Sequence, residues 1–172
     1  MSEETITESG LKITVLQEGT GEAPKSGQTV LMHYELWASP GATSSDYDYE
    51  NKKYIDSISY STYDERNPFS GPIQITIGKQ TPKDEIYSKG DSIGGLDEAL
   101  LSMKVGAKCS LLIPPHLGYG PEGASSFHSF HGFVTPPSQP VRCNIELVSI
   151  IDAQESNKRS IEDQPENVAY EG

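Results

Sequence analysis

Apolar and polar positions alternate along several stretches of this chain, with the two-residue period of a half-buried strand. Leu11, Ile13 and Val15 form the first set, and Val30, Met32, Tyr34 and Leu36 share one face of a second that runs from Gln28 to Trp37. A weaker strand is expected around Tyr54 to Ser59, a firmer one at Ile73, Ile75 and Ile77, and two more at Lys108–Ile113 and Val141–Ile151. The period changes once. Ile93, Leu96, Leu100 and Met103 recur at helical spacing, Asp91 or Ser92 stands where an N-cap belongs, and Val105-Gly106 closes the segment. Strands with one short helix predict an α+β fold, an antiparallel twisted sheet wrapped around that helix.

The intervals between these elements set the domain plan. Residues 1–10 are polar and acidic and read as a flexible lead-in or an edge strand. One domain is expected over residues 11–151, with long loop insertions at about 38–66 and 79–91; within the first, residues 38–53 offer almost nothing to bury. Residues 152–172 read as an acidic disordered tail. Of the 172 residues, 16 are Gly and 12 are Pro, which fits a sheet-rich fold with many turns.

Charge narrows the range of partners. A formal net charge of -12, with no basic stripe, argues against nucleic acid, whose binding rests on clustered Lys and Arg. No apolar run approaches the ~20 residues of a membrane span. The opening Met-Ser-Glu-Glu lacks the basic and apolar regions of a signal peptide. Cys109 and Cys143 sit far apart inside apolar segments and read as small buried side chains rather than a disulfide. Together these features predict a cytoplasmic protein.

The usual catalytic constellations are missing: no G-x-S-x-G elbow, no C-x-x-C, no H-E-x-x-H and no phosphate-cradling glycine loop. Asp46, Asp48 and Glu50 loosely imitate a calcium loop, but Asn51 stands at the sixth position and Ser57 at the twelfth, so solvated charge is the better reading. His128 and His131 lie three apart with no third ligand nearby and read as turn or pocket-rim residues. Neither a metal nor a cofactor is expected.

Several local motifs follow one another in a telling order. They are Gly19-Thr-Gly21 with Pro24-Lys-Ser-Gly27-Gln-Thr-Val30 and His33-Tyr34, then Arg66-Asn-Pro-Phe69 and Ile77-Gly-Lys-Gln80. Ile93-Gly-Gly-Leu-Asp-Glu-Ala-Leu100, Met103-Lys-Val-Gly-Ala107, Leu112-Ile-Pro-Pro-His-Leu-Gly-Tyr-Gly120, Pro136-Pro137 and Val141–Leu147 complete the series. In this order, from about Gly10 to Ile151, the chain resembles the FKBP family of macrolide-binding peptidyl-prolyl cis-trans isomerases.

The resemblance implies an apolar cup for a prolyl ring, in proline-containing peptides or proteins or in macrolides such as tacrolimus or rapamycin. It makes Tyr34 a wall of the cup, Tyr119 the hydroxyl donor to a ligand carbonyl, and Asp56 the pocket aspartate, with Tyr54 or Ile55 as its aromatic neighbour. Ile93 supplies the backbone N–H that anchors a carbonyl, and Phe69 or Ile73 the phenylalanine wall; His131 and Val134 belong to the closing loop. Four positions depart from the family: Leu96 replaces the usual floor tryptophan, Ser92 an aliphatic residue, Ile73 a phenylalanine and Cys143 an aromatic. A cavity lined by Tyr34, Ile93, Leu96 and Tyr119 is therefore expected, with weakened isomerase activity. The alternative is a non-catalytic FKBP-like module that binds peptides or partners, as part of a co-chaperone working with heat-shock chaperone machinery.

Overall fold

The computed structural model describes residues 3–37, 47–48, 53–54, 58–66, 70–82, 85–86, 88, 90–125, 129–130 and 135–151, with the backbone alone at 47–48, 53–54 and 58–60. The expected tail at 152–172 and most of residues 38–53 lie outside this set.

One seven-stranded sheet carries the fold. Its strands are β1 (Glu3–Ile6), β2 (Lys12–Gln17), β3 (Thr29–Trp37), β6 (Ile58–Ser61), β7 (Ile73–Thr76), β8 (Lys108–Ile113) and β9 (Val141–Ile151). The order is β1-β2-β8-β9-β3-β6, with β7 also on β3, and every pair is antiparallel. Two short strands, β4 (Tyr47–Asp48) and β5 (Lys53–Tyr54), pair separately inside the first predicted insertion. The lead-in is structured: β1 pairs with β2 from Glu3↔Val15 to Ile6↔Lys12, although all four residues are exposed. It escapes a period-based reading because an edge strand held by backbone hydrogen bonds needs no apolar face.

Strand β3 sits at the centre, and its alternation does what the pattern requires. Val30, Met32, Tyr34 and Leu36 all point into the core. On one side it pairs with β9 over its whole length, from Thr29↔Ile151 to Leu36↔Cys143. On the other side two strands share it: β7 covers residues 29–32 and β6 covers residues 35–37. Thr62, only 1 % exposed, fills the break between them. Its N–H donates to the Tyr34 carbonyl at 3.0 Å, and its hydroxyl accepts the Tyr34 N–H at 3.0 Å. His33 Nδ1 lies 2.8 Å from the same hydroxyl. A threonine thus replaces the missing strand residue and satisfies both backbone groups of Tyr34.

The helix α1 (Gly94–Ser102) lies across the concave face, burying Leu96, Ala99 and Leu100, with Met103 buried just beyond its end. Gly95 lets it come close: a Cβ there would fall 2.4 Å from Ile113 Cγ2 of β8. The expected cap is corrected. Ile93 occupies the N-cap position in extended conformation, with no side-chain cap hydrogen bond, because the Asp91 and Ser92 side chains are engaged elsewhere. Cys109 and Cys143 are free, buried thiols; burial, helped by Glu18, pushes Cys109 up to about 11, and burial pushes Cys143 up to about 12.

Replacing Thr62 with valine keeps the shape and removes the hydroxyl, leaving the buried Tyr34 N–H without its acceptor. The expected loss of stability is about 1–3 kcal/mol, read as a shift in the urea unfolding midpoint with an unchanged slope. Parent-like stability would show that the hydroxyl does not bridge the strands.

Candidate functional site

The segment between β7 and α1 is organised by two carboxylates. Asp97, in the first helical turn, is 8 % exposed and accepts three hydrogen bonds: from the Gly78 N–H at 2.9 Å, the Gln80 side-chain amide at 3.0 Å and the Ser92 hydroxyl at 2.6 Å. Three separate pieces of chain are thereby tied to the start of the helix. Asp91 gathers the loop instead. It accepts the Thr81 hydroxyl at 2.6 Å and the Ser88 N–H at 3.1 Å, and the Lys79 ammonium lies 3.2 Å away. Burial works to raise the Asp91 pKa, but the hydrogen bonds from Thr81 and Ser88 and the Lys79 charge outweigh it, so the net direction is down.

Beside this framework opens a cavity of about 460 Å³, whose walls come from Gln80, Thr81, Pro82 and Glu85 on one side and from His116 and residues 118–124 on the other. Ser92 and Ile93, at the helix start, also line it. Among the described residues no acceptor meets the Ile93 N–H. It stands at a helix start, where unpaired N–H groups offer hydrogen bonds and partial positive charge to a carbonyl oxygen. Tyr119 lines the same cavity, and its hydroxyl accepts the Phe130 N–H at 2.8 Å. This bond engages the hydroxyl as an acceptor and orients the ring. Phe130 in turn packs at a tilt against Tyr34, with ring centroids 5.6 Å apart. His116 also donates from its Nε2 to the Ser9 carbonyl at 2.5 Å.

The residues singled out from the sequence separate into three groups. Ser92, Ile93 and Tyr119 come together in the cavity wall. Tyr34, Leu96 and Cys143 are enclosed in the core, and Ile73 packs against it. None of these four is among the residues that line this cavity: Leu96 is fully enclosed, at 0 % exposure, and the Tyr34 ring meets Phe130. Ile55, Asp56, Phe69, His131 and Val134 lie outside the described residues, as does His128, and Tyr54 is described only by its backbone in β5. The strand that pairs with β3 at this end, Ile58–Ser61, contains no carboxylate. Sequence reasoning missed Phe130, the Asp97 clamp and the Gln80–Pro82 wall. An aspartate two residues after the Gly94-Gly95 pair was the one available signal for the clamp.

The site is a cleft at the start of a single helix, on an α+β domain without any metal-ligating cluster among the described residues. The chain belongs to the FKBP-type peptidyl-prolyl cis-trans isomerase family, whose model matches residues 20–148. It is 32% identical over 143 residues to "FK506-binding protein" of Neisseria meningitidis serogroup B, covering 83% of this chain and 98% of that one. It is 31% identical over 144 residues to "Peptidyl-prolyl cis-trans isomerase" of Schizosaccharomyces pombe, covering 83% and 96% respectively. The fold is similar to that of the N-terminal domain of FKBP42 from Arabidopsis thaliana (TM-score 0.56, 22% identity, 88% of this chain and 93% of the other).

The Asp91 geometry gives a pH prediction. A carboxyl whose folded pKa is lowered stabilises the fold above its unfolded pKa, and that contribution is lost as pH falls through the folded value. Asp91→Asn is expected to lower the unfolding midpoint at neutral pH, with its difference from the parent protein shrinking below about pH 4. Urea titrations across this range test it, and a pH-independent difference would refute it.

Proposed function

We propose that this chain catalyses cis-trans isomerisation of X-Pro bonds at the cavity beside α1, more slowly than relatives with a fully aromatic pocket. The observation that carries the reading is the pairing, in one cavity wall, of the unmet Ile93 N–H with the Phe130-oriented Tyr119 hydroxyl. Both are donors suited to a carbonyl next to a prolyl ring.

The chemistry needs no nucleophile. Amide resonance sets a rotation barrier of about 20 kcal/mol, while an X-Pro bond has little preference between its two planar forms. A planar amide is more dipolar than a twisted one, so transfer from water into an apolar cleft destabilises the ground state more than the transition state. A donor fixed on the carbonyl then favours the twisted geometry, provided it is preorganised. The Phe130 N–H orients Tyr119, and the Asp97 clamp fixes Ser92 and with it the Ile93 backbone. Reduced activity follows from the lining. Tyr119 is its one Phe, Tyr or Trp ring among the described residues, and Leu96 stands where the family usually places a tryptophan. Each absent ring removes about 1–2 kcal/mol of contact with proline.

Proline-containing segments of proteins are the proposed substrates, and macrolides are proposed to occupy the same cavity. The cytoplasm is the proposed compartment, supported by two cysteines held as buried thiols. The sparse aromatic lining also supports a second reading, a module that binds prolyl segments without turning them over, in partnership with heat-shock chaperones.

An isomerase assay on short X-Pro peptides, run beside the Neisseria relative, decides between the two readings. Measurable turnover is expected, with kcat/KM about tenfold or more below that relative. Tyr119→Phe is expected to lower kcat/KM by about a further tenfold. Binding of the peptides without turnover would replace the first reading with the second, and activity equal to the relative's would refute the claim of a weakened site.

A further inference from the structure

The charges around the cavity point to a narrower class of substrate than any X-Pro segment. Its described lining includes two carboxylates, Glu85 on the loop that enters the helix and Glu122 in the segment after Tyr119, and no lysine or arginine. Both side chains are exposed, and neither forms an ion pair among the described residues. Five of the cations among the described residues are engaged elsewhere. Lys12 pairs with Glu4, Arg66 with Asp64, Lys79 with Asp91 and Lys108 with Glu146, while Arg142 lies over the Trp37 ring at 4.7 Å. Beside Glu85 the side chain of Ile86 stands 65 % exposed. The loop at Glu85 thus exposes an apolar side chain next to a carboxylate in the chain, which matches a partner side chain with a hydrocarbon stem and a cationic head.

We propose that the site selects X-Pro segments flanked by lysine or arginine, with Glu85 and Glu122 as specificity-determining residues on either side of the bound chain. The proposal rests on the reading of the cavity as a prolyl site and adds to it the charge of the neighbouring residues. With the proline in the cavity, the residues before and after it must leave over these two walls. A cationic flank there meets an unpaired carboxylate and a negative overall field of -12, whereas an acidic flank meets repulsion from both. Interactions of this kind are screened by salt, because the groups involved are solvated.

The test uses three peptides that share one Leu-Pro bond and differ only in flanks of Lys, Ala or Glu. Turnover and calorimetric binding are both measured, on the full chain. At low ionic strength the expected order is Lys, then Ala, then Glu, with a spread of about tenfold between the extremes that contracts at molar salt. In the double variant Glu85→Gln, Glu122→Gln the Lys-to-Glu ratio is expected to fall towards one, and in Glu85→Lys, Glu122→Lys to invert. Equal values for the three peptides at low salt would overturn the proposal, as would a double Gln variant that keeps the full ratio. Absence of turnover with every peptide would instead remove the isomerase reading. The charge preference then stands or falls on the binding data from the same three peptides.

Discussion

A carboxylate enclosed at the start of a short helix is the constraint on which the working part of this protein depends. Nine residues make a helix that is marginal on its own. This one begins with two glycines and has no side-chain cap, so local propensity does little to start it. Asp97 supplies what the local sequence lacks. Its hydrogen bonds to Gly78, Gln80 and Ser92 join the exit of β7, the following loop and the residue preceding the N-cap into one rigid corner. The Ile93 N–H keeps its direction because the residues on both sides of it are fixed. Leu96, Ala99 and Leu100 then hold the rest of the helix through burial, which is strong but sets no particular azimuth.

A second constraint supports the site from beneath. Tyr34 lies in the middle of the central strand, and Thr62 satisfies its backbone where neither β6 nor β7 reaches. Its ring meets Phe130, whose N–H binds the Tyr119 hydroxyl. Sheet centre, loop and cavity wall are therefore connected by one ring contact and one hydrogen bond. Tyr34 thus links the central strand to the loop that carries Phe130.

Much of the fold was legible in the sequence because period-2 and period-3.6 burial leave direct traces. Val30 to Leu36, Lys108–Ile113, Val141–Ile151 and the stripe from Ile93 to Met103 were placed correctly by that logic alone. What failed involved side chains with two plausible jobs. Asp91 and Ser92 have the chemistry of helix caps, yet longer-range partners claim both, and no local pattern announces Thr81, Ser88 or Asp97 as those partners. Of the cavity lining, Ile93 and Tyr119 stand in family motifs whose flanking glycines and prolines mark turns. The Gln80–Glu85 wall was invisible because it belongs to an inserted loop, where polarity signals only that the chain is outside the core.

The outermost strand carries a consequence for how such a protein survives its own substrates. Glu3–Ile6 closes one end of the sheet, exposed along its whole length. A protein that handles extended, partly unfolded segments offers them, at such a border, a backbone ready to accept one more strand. Two of its four residues are glutamates, and one of them, Glu4, is held by Lys12 across the ladder. Any segment adding itself there must desolvate fixed charge before it gains a hydrogen bond. Acidity at this border guards the open edge of the sheet against the addition of a further strand from another chain.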